Sequence, residues 1–242
     1  MNALVTGGTK GIGFAIAEAM LATGGKVMTT GRDETRVQSA LTALAKSAGP
    51  GAEVIGAAVD VRNREGLEAA IDRAVSTFGT LDTLINNAGV GAFIDVENMS
   101  DESWHQVIDT NLTGVFYATR ACIPHLKRAG GGWIINIASL AGRNYFANAA
   151  AYCASKAGLV AFSEAVMLEV RNDNIRVSCV MPGSVVTEFS HPDRTGSGPV
   201  TTKSDDSWKL TADDIAEVVM DLLRHPARSL PSKVEIRPSR TK

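Results

Sequence analysis

The feature that most constrains this chain is a glycine-rich turn close to its start. Thr6-Gly7-Gly8-Thr9-Lys10-Gly11-Ile12-Gly13 joins an apolar run, Ala3–Thr6, to an amphipathic stretch, Ile12–Thr23, with apolar residues at three- and four-residue steps. A side chain at Gly7, Gly11 or Gly13 would hold the backbone away from any group it has to approach. A helix that starts there offers free N–H groups and the positive end of its dipole. Glycines also build ordinary tight turns. A GxxxGxG spacing at the first strand–helix junction instead points to a pyrophosphate cradle.

The segments beyond the turn set the architecture. Strand-like runs at Lys26–Thr30, Glu53–Val59, Thr83–Asn86, Trp133–Ala138, Ile175–Val180 and Lys233–Ile236 join Ala3–Thr6 to make seven. Helical patterns at Arg36–Ser47, about Arg64–Phe78, about Asp101–Arg128, Ala149–Val170 and Ala212–Arg224 lie between them. Strands separated by crossover-length helices imply a parallel sheet covered on both faces. Right-handed crossovers make it an α/β, doubly wound, Rossmann-type sheet forming one domain over 1–242, with ligands at the carboxyl ends of the strands. Glu188–Lys209, rich in Ser, Thr, Gly, Pro and Asp, is read as a mobile substrate loop, a plain surface connection being the alternative.

Composition removes several classes of function. With 24 basic and 26 acidic residues, the formal charge of −2 leaves no excess for non-specific binding of nucleic acid or an anionic membrane. Three cysteines without metal-ligand spacing (Cys122, Cys153 and Cys179) argue against a disulfide scaffold and a zinc site. The start lacks a signal-peptide pattern and no apolar run reaches membrane-span length, so a cytoplasmic setting is expected.

The residues at the strand ends carry the chemistry. Thr30-Gly31-Arg32-Asp33 ends the second strand, where an NAD-binding sheet of this kind places an acidic residue for the ribose 2′-hydroxyl. Here that position holds Gly31, followed by Arg32, with Lys10 in the glycine turn as a second cation. The pattern favours NADP over NAD, and Gly31→Asp with Arg32→Ala is expected to invert the preference. Asp33 is the contrary sign, should it turn toward the ribose. Tyr152 and Lys156, four apart, share a face near the start of the Ala149–Val170 helix. A neighbouring ammonium is expected to lower the phenol's pKa and suit it to proton transfer. Ser139, at a strand end, is placed to bond a carbonyl oxygen, or is only a turn serine. Asn111 is unfavourable inside a helix, which calls for a local kink there, one able to hold a water. Asp60 follows the third strand and Asn86-Asn87-Ala88-Gly89 the fourth.

Thr6–Gly13, Asp60, Asn86–Gly89, Asn111, Ser139, Tyr152, Lys156 and Pro182-Gly183-Ser184-Val185-Val186-Thr187 stand in the order and spacing of the short-chain dehydrogenase/reductase family, which the chain resembles to about residue 190. The resemblance implies a catalytic tetrad. Tyr152 would donate the proton, Lys156 lower its pKa and hold the nicotinamide ribose, Ser139 position the substrate oxygen, and Asn111 bind a water. It implies further that Gly7, Thr9, Gly11, Ile12 and Gly13 line the pyrophosphate, with Arg32 and Lys10 at the 2′-phosphate. Asp60 and Val61 would meet the adenine, and Asn87, Ala88 and Gly89 the neighbouring ribose. Pro182, Gly183, Val185 and Thr187 would hold the carboxamide.

Within the family the chain is most similar to 3-oxoacyl-(acyl carrier protein) reductases and related carbonyl reductases. A small carbonyl compound or acyl thioester is therefore the expected substrate. Lys127, Arg128 and Arg171 are candidates to dock an acidic carrier. Self-association to a dimer or tetramer is expected through the Asp101–Arg128 and Ala149–Val170 helices. Leu159, Phe162, Val166 and Val170 would supply apolar surface beyond what one sheet face covers. An NAD-dependent alcohol dehydrogenase, a silent dinucleotide-sensing module and a sugar epimerase or dehydratase are the other readings. An intact tetrad disfavours the second, and the short segment after Thr187 the third.

Overall fold

The computed structural model describes residues 1–186 and 206–240. Seven parallel strands form one sheet: β1 (Asn2–Val5), β2 (Lys26–Gly31), β3 (Glu53–Ala58), β4 (Thr83–Asn86), β5 (Gly132–Ile137), β6 (Ile175–Pro182) and β7 (Lys233–Ile236). Their spatial order is β3-β2-β1-β4-β5-β6-β7. The chain winds outward from β1 to β3, then crosses back to lay β4 on the other side of β1. The gap between the carboxyl ends of β1 and β4 is the topological switch point, where sheets of this kind receive ligands.

Alternation along the strands divides the core. Leu4, Met28, Leu84, Ile134 and Val177 face helices α3 (Arg64–Phe78), α5 (Gly114–Arg128) and α6 (Ala150–Val170). Val5, Val27, Ile85, Ile135 and Val180 face α1 (Gly11–Ala22) and α7 (Ala212–Arg224), beside α2 (Glu34–Leu44). The period of two places neighbouring residues on opposite faces. All three cysteines are buried free thiols. No helix among the described residues is long and apolar enough to cross a membrane.

Two expectations are corrected here. The long helix over Asp101–Arg128 is two helices, α4 (Asp101–Ile108) and α5, joined by a π-helical turn at Asp109–Thr113 with Asn111 in its middle. An extra residue in the turn swings the Asn111 side chain inward, the kink its low helix propensity calls for. The apolar surplus assigned to α6 is also absent. Leu159, Val166 and Val170 are buried in this chain's own core, and Phe162 packs against it. The large apolar side chains that α5 and α6 do expose are Phe116 and Leu168.

Candidate active site

The glycine turn is locked from two sides. Thr6 donates through its hydroxyl to the Ile85 carbonyl and accepts from the amides of Asn87 and Ala88 at 3.0 and 3.2 Å. The Asn87 side chain donates back to the Thr6 and Gly7 carbonyls at 3.1 and 3.0 Å. This strut pulls the β4 loop so tightly onto the turn that a Cβ at Gly7 would lie 2.9 Å from Ala88 Cα, and one at Gly13 would lie 2.6 Å from the Gly7 carbonyl. α1 starts at Gly11 with no side-chain cap and no acidic residue in its first turn. By contrast Asp33, Asn63, Ser100 and Thr211 cap α2, α3, α4 and α7. The N-terminal amides of α1 are thus left for an external anion, and the cradle fits a pyrophosphate.

At the end of β2, Arg32 is exposed and in no ion pair among the described residues, while Asp33 is committed as the α2 cap, accepting from the Arg36 amide at 2.8 Å. The cap removes the contrary sign that Asp33 gave. Gly31 has a further reason to be glycine: a Cβ there would lie 2.5 Å from Thr9 Cγ2. The double change Gly31→Asp with Arg32→Ala therefore collides with Thr9 and needs Thr9→Ser beside it. Asp60 is gripped by Arg62, a residue that no sequence motif marked. Arg62 donates Nε at 3.1 Å and Nη2 at 2.7 Å to the Asp60 carboxylate, and its amide donates at 2.9 Å. This fork holds the Asp60 carboxyl below its ordinary pKa. Val61 is buried against Gly114, just beyond the π turn.

The candidate catalytic groups converge at the carboxyl ends of β4 and β5. Ser139 leaves β5, accepts from the Ala141 amide at 3.1 Å and lies near enough to the Tyr152 phenol to favour its ionised form. Lys156, one helical turn beyond Tyr152, is 4% exposed; its Nζ donates to the Ile137 carbonyl at 2.9 Å and lies 5.9 Å from the Tyr152 ring centre. Asn111 is fully buried. Its Oδ1 accepts from the Val90 amide at 2.8 Å, and its Nδ2 donates to the Val90 carbonyl at 2.8 Å and to Ser155 Oγ at 3.0 Å. Ser155, also unmarked in the sequence, donates to the Tyr152 carbonyl at 2.8 Å. The π turn, the loop after β4 and the start of α6 are thereby tied into one buried polar network. Asn86 serves the layer beneath, bonding Asn136 at 2.8 Å and Thr119 at 3.2 Å.

The electrostatics differ from expectation. Burial raises the Tyr152 pKa above its ordinary value, with Ser139 opposing it. Burial also lowers Lys156 to about 8. The ammonium points at a backbone carbonyl rather than at the phenol oxygen, and desolvation outweighs any help it gives.

Three more placements complete the site. Pro182 ends β6, Gly183 donates to the Ile236 carbonyl at 2.8 Å, and Val185 bridges Leu210 ahead of α7. Thr187 and residues 188–205 of the expected substrate loop lie outside the described residues. Lys127, Arg128 and Arg171 stand at the wrong end of the sheet for a docking surface beside the site. Lys127 and Arg128 close α5 just before β5 begins, Lys127 pairs with Asp173 at 2.8 Å, and Arg171 lines a cleft of about 700 Å³ with Met1 and Gly132. They belong to the amino edge of the strands, opposite Tyr152.

A family model described as short chain dehydrogenase matches residues 1–197. The chain belongs to the short chain dehydrogenase family. Among curated relatives, it is 36% identical over 187 residues to the 3-oxoacyl-[acyl-carrier-protein] reductase FabG of Chlamydia pneumoniae, covering 77% of this chain and 74% of that protein. A metagenomic short-chain oxidoreductase crystallised with NADP superposes with a TM-score of 0.82 at 33% identity, covering 99% of this chain and 97% of that one. A variant of actinorhodin polyketide ketoreductase with NADPH superposes with a TM-score of 0.86 at 31% identity, covering 98% and 95%. Membership of the family accounts for the order of motifs and for their meeting at one sheet edge.

Proposed function

We propose that this chain is an NADP(H)-dependent carbonyl reductase, interconverting a ketone or aldehyde and its alcohol. The observation that carries the reading is the meeting of Ser139, Tyr152 and Lys156 beside an uncapped, glycine-lined helix start. The likeness to an acyl-carrier reductase and to two nicotinamide-bound oxidoreductases supports it.

The residues present fit the dinucleotide. Gly7, Thr9, Gly11, Ile12 and Gly13 would take the pyrophosphate, Arg32 with Lys10 the 2′-phosphate, and Asp60 and Val61 the adenine. Asn87, Ala88 and Gly89 would border a ribose, and Pro182, Gly183 and Val185 the carboxamide. When bound, the reduced cofactor supplies the hydride. The chain does the rest. Ser139 orients the carbonyl oxygen by hydrogen bonding. Tyr152 delivers a proton to that oxygen as its charge develops. Its pKa above the ordinary phenol value keeps the acid protonated at neutral pH. Lys156, poised near 8, exchanges protons close to the working range and fixes the site from behind. The test is NADPH oxidation, compared with NADH, across a panel of ketones and aldehydes. Turnover with some carbonyl and preference for NADPH is expected; no turnover with either cofactor refutes the reading.

A further inference from the structure

The loop after Ser139 presents six exposed residues in succession, Arg143-Asn144-Tyr145-Phe146-Ala147-Asn148. Two of them are large aromatics: Tyr145 is 70% exposed and Phe146 51%. Soluble proteins seldom leave adjacent aromatic rings in water without a use for them. The Phe146 ring is stacked on Phe93, from the loop after β4, with centres 6.0 Å apart and planes 17° apart. Phe93 in turn lies 5.8 Å from the ring of Tyr152, tilted by 46°. The three rings form one path from the proton donor to the surface, with half-buried Phe93 as its middle member.

The loop that carries the path is anchored. Arg143 pairs with Glu235 of β7, which also takes Arg237 at 3.0 Å. Arg143, the cation closest in sequence to the rings, is thereby engaged with the edge strand. Lys127, Arg128 and Arg171 lie at the amino edge, so none of these three stands beside the exposed rings of Tyr145 and Phe146.

Resting on the reductase reading, we infer that this site selects carbonyl compounds bearing an aromatic or similarly planar apolar ring close to the carbonyl. A carbonyl held at Tyr152 and Ser139 places its substituent along Phe93 and Phe146. A planar ring gains offset or edge contacts there that a saturated ring of the same size does not.

The pair that tests this is benzylacetone and its cyclohexyl counterpart, which share the methyl ketone and differ in the ring. With NADPH, kcat/KM is expected to favour the aromatic ketone by about threefold to tenfold, the range that aromatic pairing supplies. Phe146→Leu and Phe93→Leu keep apolar bulk and should bring the ratio close to one. A ratio near one in the unmodified protein, or one that neither variant changes, overturns the inference while leaving the reductase reading intact. If neither ketone nor any other carbonyl is turned over, the reductase reading fails. Saturation-transfer NMR of the two ketones with the protein then decides the inference by itself. Preferential contact of the phenyl ring, lost in Phe146→Leu, supports it, and equal or absent contact overturns it.

Discussion

Lys156→Met is expected to stabilise the fold while removing activity. The ammonium is 4% exposed and its pKa is about 8, against 10.5 for a free lysine, with burial the first cause. Below pH 8 both folded and unfolded chains carry the charge, so the whole cost of burying it falls on the fold. Two and a half pH units at about 1.4 kcal/mol each set that cost at about 3 to 4 kcal/mol. Between pH 8 and 10.5 the unfolded chain still binds the proton that the folded chain has released. Stability due to this group therefore rises with pH across that window. Methionine keeps the apolar stem and abolishes the charge, but it loses the bond to the Ile137 carbonyl, costing about 1–3 kcal/mol.

The net gain at pH 7 is about 1 kcal/mol, worth about 2–4 °C in Tm for a chain of this size. Urea titrations of both proteins at pH 7 and at about pH 9.5 check it. The advantage of the variant should shrink by about 2 kcal/mol at the higher pH. Tyr152, whose raised pKa matters above 10, is common to both proteins and cancels in the difference. A difference independent of pH, or a variant less stable at pH 7 by more than about 1 kcal/mol, refutes the argument.

Tyr152→Phe should lower kcat by about 10² to 10⁴ with cofactor affinity unchanged in fluorescence titration, the cost of deleting a general acid. Arg32→Ala should reduce the ratio of kcat/KM for NADPH over NADH by about one to two decades, since hydrogen bonds to charged groups contribute about 1.5–3 kcal/mol. Thr9→Ser with Gly31→Asp and Arg32→Ala should then invert the preference where the double change alone misfolds the turn. Asn111→Leu should destabilise by about 2–4 kcal/mol in urea, because the Val90 amide and carbonyl and Ser155 lose buried partners at once. Light scattering at micromolar concentration should report a dimer or tetramer, and Phe116→Glu, on the exposed face of α5, should shift it toward monomer.

The sheet was legible because its evidence is local. Each strand is an apolar run, each crossover a helical pattern, and the glycine turn marks the first junction without reference to anything distant. The four residues proposed as a tetrad could be picked out because their order and spacing follow the family's. The π turn left a local trace in Asn111, a poor helix former inside an apparent helix. Other features needed contacts between distant residues. Thr9 and Gly31 touch only once β1 and β2 are paired, so the obstacle to a carboxylate at 31 leaves no mark on either segment. Phe93 and Phe146 leave different strands and meet above Tyr152. Asp33 was weighed only as a ribose ligand; its role as a helix cap follows from α2 beginning at Glu34, ahead of the Arg36 start that the sequence pattern marks. The misplaced basic residues are of another kind. Lys127 and Arg128 close a helix and precede a strand, so the direction of a parallel sheet already sends them to its amino edge; charge was weighed there and direction was not.

Asn111 and Lys156 bury polar groups in the same few ångströms of the fold, and their energetics oppose each other. Asn111 has a partner for its oxygen and two for its amide, so its burial is compensated and its removal costs stability. Among the described residues Lys156 has one carbonyl for three donors, and its charge is taken out of water, so its burial is under-compensated and its removal restores stability. A network whose members served structure alone would have no use for the second kind of residue. The cost of burying the lysine is what brings its pKa down to about 8, beside the phenol proposed to deliver the proton. Measured together, a destabilised Asn111→Leu and a stabilised Lys156→Met, both inactive, would separate the scaffold of this site from its chemistry.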